Sequence, residues 1–132
     1  MGYNGVAILQ FFAQLQKWLV ISNRDTLKIR EYFHAPWTDT PNVYASTYAA
    51  QLDDRQLECV DFEVVISDAA KTIFFVGQME KSGLFDSKFI DDYDDEADKS
   101  WITTGTIFVK KYDREMRRIK WEAENRDYES MA

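Results

Sequence analysis

The chain has 132 residues, 45% of them hydrophobic and 15% aromatic, with only five Gly and two Pro, which suits one folded domain with a core and excludes a disordered or linker-rich chain. Its 23 acidic residues against 16 basic ones give a net charge of −7. Phosphate backbones repel such a surface, which argues against nucleic acid as a partner, and the acidity serves either solubility alone or a basic protein partner.

A single cysteine, Cys59, has no partner for an internal disulfide, and no His stands near it in sequence to lower its pKa. It reads as a buried inert thiol rather than a nucleophile. The first apolar stretch lacks a basic leader and is broken by Gln10, Gln14, Gln16 and Lys17, which fits neither a signal peptide nor a membrane span. The expectation is a cytosolic, single-domain protein over residues 1–132 with no membrane partner.

Taken in order, Ile8, Phe12, Leu15 and Leu19 form a helical stripe, predicting a helix over Gly5–Ile21. Ser22-Asn-Arg-Asp25 has the form of a capping box before a second helix, Arg24–Phe33, which Pro36 forbids to continue. Pro41 opens a third candidate, with Tyr44, Tyr48 and Leu52 on one face. The period then changes. Val60, Phe62, Val64 and Ile66 alternate with Asp61, Glu63 and Val65 as in a half-buried strand. Ser67–Lys71 reads as a turn and Thr72–Met79 as a second strand, together a hairpin. Asp86–Asp98 carries seven acidic residues and should be a solvated excursion. Trp101–Tyr112 is again rich in β-formers. Residues 117–125 fit either a helix or a strand, and Asp113-Arg114-Glu115 as a tight connection favours a second hairpin. The fold class expected is therefore α+β, with N-terminal helices packed on an antiparallel sheet.

That order of elements resembles the NTF2-like superfamily of ketosteroid-isomerase-like and SnoaL-like domains. The likeness is carried by Phe11-Phe12-Ala13-Gln14-Leu15 through Ser22-Asn23-Arg24-Asp25, and by Thr104–Asp113 followed by Arg118-Ile119-Lys120-Trp121-Glu122. The resemblance implies a curved sheet wrapped as a cone around an apolar cavity, often in a homodimer. It also implies a hydrophobic small-molecule ligand, polyketide- or terpenoid-like, either bound or acted on by cofactor-free isomerisation, cyclisation or dehydration. Members of that superfamily include non-enzymatic binding domains, so whether the chain is an enzyme stays open.

His34, the only histidine, either moves protons at a pocket mouth or places its charge at a helix C-terminus. Asp61 and Glu63 share one face of the expected strand and are either cavity acids with raised pKa values or an ordinary solvent face. Tyr32, beside His34, completes the candidate proton-moving set. Trp37, Tyr48, Trp101 and Trp121, with Gln78 or Asn125 to orient a ligand, line a pocket or form the core. No phosphate loop, Cys-x-x-Cys, nucleophile elbow or His-Glu-x-x-His occurs, and no cofactor or metal is expected. The alternative reading is a non-catalytic interaction or inhibitor protein. In it Asp91, Asp92, Asp94 and Asp95 of the acidic run dock on a basic partner, whereas the competing bland reading has that run neutralise the basic residues Lys110–Lys120.

Overall fold

The computed structural model describes residues 10–13 and 25–131, and among them the chain is helical with no β-strand. Four residues, 10–13, are what is described of the first expected helix; the rest of it and most of the Ser22–Asp25 capping box lie outside the described residues. Then follow α1 (residues 25–33), α2 (Ala45–Asp61), α3 (Asp68–Lys81), α4 (Ser87–Asp94) and α5 (Trp101–Met131). The α+β expectation is overturned, and with it the NTF2-like cone and its SnoaL-like and ketosteroid-isomerase-like implications, which require a sheet.

The reason lies in which residues are buried. Between Lys71 and Met79 the buried set is Lys71, Thr72, Phe75, Gln78 and Met79, spaced by three and four as on one face of a helix. The β-formers Ile73, Phe74 and Val76 fill the other positions. In the second expected hairpin, Thr104, Phe108 and Tyr112 are fully buried at strict four-residue spacing, and α5 runs unbroken through Asp113-Arg114-Glu115. A contiguous apolar run carries both periods, and β-propensity is too weak to decide between them.

Three caps start these helices, Ser67 from the expected turn, Asp86 from the expected solvated excursion, and Ser100 from just before the expected β segment. The Ser67 hydroxyl accepts the Ala70 amide at 3.0 Å to open α3. Asp86 accepts the Phe89 amide at 2.8 Å to open α4. Ser100 accepts the Thr103 amide at 3.3 Å at the head of α5. Each leaves one fewer unsatisfied N–H in the first turn.

The backbone divides into two compact units, Met1–Ala35 with Arg55–Val65, and Pro36–Asp54 with Ile66–Ala132. In the first, Arg55 donates to the Ala35 carbonyl at 3.1 Å and lies 5.3 Å from the Tyr32 ring centroid, tying α1 to the last turns of α2. Cys59 is fully buried, and burial raises its thiol pKa, as expected of an inert core sulfur. α2 closes with Val64 N–H bonded to the Cys59 carbonyl and Glu63 N–H to that of Val60, Glu63 itself taking the left-handed conformation at φ 58°. The expected strand Val60–Ile66 is thus a helix end and its closing turn.

In the second unit two rings act as hubs. Phe75 meets Tyr48, Trp101 and Phe108 at centroid distances of 6.5, 5.2 and 5.9 Å. Phe108 in turn meets Phe85, Phe89 and Tyr93 at 5.2, 5.2 and 5.1 Å. The loop before α2 is held on this core: the Trp37 amide donates to Gln78 at 3.2 Å, its indole N–H to the Val43 carbonyl at 2.8 Å, and the Tyr112 hydroxyl to the Thr40 carbonyl. Among the described residues no helix is long and apolar enough to cross a membrane.

Candidate acidic interaction surface

α4 is a short helix with two unlike faces. Phe89 and Tyr93, four residues apart, both pack on Phe108, and the Tyr93 hydroxyl shares a buried 2.8 Å hydrogen bond with Thr104. Phe85, just before the helix, stacks on Phe89 at 5.4 Å and is buried. One face of α4 is therefore fixed to α5 by aromatic packing and a satisfied polar pair. Everything acidic is left on the other side: Asp86, Asp91, Asp92, Asp94, Asp95, Glu96 and Asp98 are all exposed.

These carboxylates divide by what they do locally. Asp86 caps α4. Asp98 accepts the Thr103 hydroxyl at 2.7 Å and the Ser100 amide at 2.9 Å, and these bonds, Thr103 first, hold its carboxyl below the usual range. Glu96 accepts a long 3.5 Å contact from the Asp98 amide. Asp91, Asp92, Asp94 and Asp95 enter no ion pair among the described residues. Lys99, the cation that follows, is turned to the backbone: its ammonium donates to the carbonyls of Tyr93, Asp94 and Glu96 and lies 4.3 Å over the Tyr93 ring. That satisfies the end of α4.

Among the described residues no ion pair joins the basic residues of α5 to the run. Arg118 pairs with Glu115 and Glu122 at 2.8 Å each, and Lys111 with Glu115 at 3.2 Å, all along α5 itself. Nor do the acids form a cation cage: among the described residues no three His, Cys, Asp or Glu side chains are grouped as ligands for one metal ion.

The other residues singled out from sequence fall elsewhere. His34 is exposed at the end of α1, its Nδ1 2.8 Å from the Arg30 carbonyl, so the helix C-terminus reading describes its position. Tyr32 is also exposed, with its phenol pKa raised by the neighbouring Glu58 carboxylate. Asp61 is the exposed last residue of α2 and Glu63 sits in the turn beyond it, so they line no concave sheet face. Trp37, Tyr48 and Gln78 are buried together, with Trp37 stacked on Tyr48 at 5.9 Å, and the half-buried Trp101 meets the Phe75 ring beside them at 5.2 Å. Trp121 and Asn125 lie apart from them on α5, lining a shallow groove with Glu122 and Arg126.

Sequence reasoning missed Lys71. Its side chain is 3% exposed, 2.6 Å from Asp53 and 4.4 Å from the centroid of Trp101. It sits in a stretch read as turn, where a lysine raises no question.

No family model matches the chain, and no curated protein or solved structure matches it.

Proposed function

We propose that this chain is a non-catalytic interaction module whose α4 surface binds a basic protein through Asp91, Asp92, Asp94 and Asp95. The observation that carries this reading is where those charges stand. α4 has no basic residue in its last turn, and Asp94 and the C-cap Asp95 occupy the negative end of the helix. A carboxylate there opposes the helix dipole, a penalty that the Lys99 ammonium on the same terminal carbonyls offsets only in part. Four exposed aspartates crowded between Asp91 and Asp95 also repel one another. Charges that weaken their own helix and enter no ion pair among the described residues are explained by an external cation. The aromatic anchor on the opposite face supplies the rigidity, since it holds the carboxylates on a fixed helix instead of a loose loop.

In such an interface the aspartates steer encounter and set specificity, with a strong dependence on salt because exposed charges are screened over about 10 Å at 0.1 M. The test compares proteins retained from the host lysate by the native chain and by a variant with all four aspartates changed to Asn. A basic protein held at fixed stoichiometry by the first, lost from the second and released as salt rises supports the reading. An identical set of retained proteins on both would overturn it.

A further inference from the structure

Beside the acidic turn lies an open groove of about 470 Å³ on the outer face of α3, lined by Ala69, Ile73, Val76, Gly77, Tyr93 and Lys99. We infer that this groove seats the apolar stripe of a basic amphipathic helix, so that the partner of the acidic surface is a cationic helical segment rather than a merely cationic protein. The inference rests on the acidic-surface reading above and adds a second contact to it.

Three observations fix the occupant. First, Ala69, Ile73 and Gly77 recur every four residues, a ridge of small, large and small side chains along α3 that suits a helix lying across it. A Cβ built on Gly77 would meet nothing within 4 Å, so this position permits close approach of another backbone. Second, Ile73 is 74% exposed at the centre of that ridge, an apolar side chain ready to be covered. Third, apart from Lys99 the charge around the groove is negative. The segment between the lining residues Tyr93 and Lys99 holds Asp94, Asp95, Glu96 and Asp98, all exposed, and Glu80 joins the lining from α3. The ammonium of Lys99 is already bonded to three backbone carbonyls of the α4 end. A helix with an apolar stripe flanked by Lys and Arg meets both requirements; an anionic lipid surface or a nucleic acid meets the rim with the wrong charge.

The experiment measures binding of two labelled synthetic peptides to the full chain by fluorescence anisotropy. One is a Leu/Lys peptide patterned as an amphipathic helix, the other its scrambled isomer of identical composition and charge. The native chain is expected to prefer the patterned peptide by about tenfold or more, the scale of burying one aliphatic side chain. Ile73→Ser should remove most of that preference. Gly77→Gln, which fills the groove while favouring the helix, should do the same without loss of folding. Ile102→Ser, at an equally exposed isoleucine outside the groove, should change nothing. If both peptides bind equally and both are weakened by the four Asp→Asn changes, the groove inference fails and the acidic surface stands. If neither peptide binds, both readings fail.

Discussion

The hydroxyl of Tyr93 on α4 and that of Thr104 on α5 lie 2.8 Å apart, both side chains buried, in a hydrogen bond that no water needs to complete. It is the polar pin in an otherwise aromatic contact between the two helices. Removing one partner strands the other, and an unsatisfied buried hydroxyl costs about 1–3 kcal/mol, whereas replacing both with apolar groups of similar shape is close to neutral. Tyr93→Phe and Thr104→Val are each expected to lower stability by about 1 kcal/mol or more. The double variant should fall short of their sum, as read by urea unfolding of all four proteins. Strict additivity would show that the pair contributes no coupling.

The aspartates on the other side of α4 lead to the opposite expectation. Changing Asp91, Asp92, Asp94 and Asp95 to Asn removes charge from the negative end of a helix and relieves repulsion among near neighbours. Unfolding at low salt should show the variant more stable than the native chain by about 1–2 kcal/mol, with the gap closing as salt rises. A destabilised variant would mean that these carboxylates hold the fold together, and the argument that they are retained for a partner would lose its basis.

Of the fold, α1 and α2 were legible in the sequence, and the failures beyond them share one cause. Tyr48 and Leu52 announce α2 because their neighbours Ala49, Gln51 and Asp53 are small or polar, so only one period fits. Thr72–Met79 and Trp101–Tyr112 mislead because β-branched and aromatic residues fill consecutive positions, and period two is as easy to trace through them as period four. The deciding signals were the caps. Ser67, Asp86 and Ser100 each stand three residues before an amide that they accept, and taken as helix starts they exclude the strand readings of Thr72–Met79 and Trp101–Tyr112 and the loop reading of Asp86–Asp98. The acidic run was visible as charge, but its division into capping and uncommitted carboxylates depends on contacts to Phe89, Ser100 and Thr103 that only the fold supplies. The groove on α3 could not be seen at all, because Ile73 was read as part of the strand Thr72–Met79.

Lys71 tests whether a buried charge here is structural. Asp53, itself half-exposed, provides the close ion pair at 2.6 Å, and Asp68 a longer one at 3.5 Å. Asp53→Ala takes the closest carboxylate from a desolvated ammonium, leaving Asp68 at the longer 3.5 Å, and should cost about 1–3 kcal/mol. Lys71→Met keeps the packing against Trp101 and gives up both members' need for each other, so it should cost less, about 1 kcal/mol. The double variant should recover part of the Asp53→Ala loss in thermal or urea unfolding. A double variant weaker than either single one would assign Lys71 a packing role independent of its charge.

The start of α5 should make stability depend on pH through Asp98. Thr103 and Ser100 donate to its carboxylate in the folded chain, and those bonds hold its pKa below the usual carboxylate range. The folded state therefore binds that proton less readily than the unfolded state. Above the ordinary carboxylate range both states are ionised and the stabilisation is complete; as pH falls through the folded pKa it disappears. Asp98→Asn should consequently be less stable than the native chain at neutral pH, and the difference should shrink in acid as the native carboxylate is protonated. Glu115 works in the same direction, its carboxyl held low first by Arg118 and then by Lys111, so Glu115→Gln should show a difference of the same sign. Urea unfolding of the three proteins across the acid range reads both. A gap between Asp98→Asn and the native chain that stayed constant with pH would mean that the cap acts through geometry alone, with no contribution from the charge of Asp98.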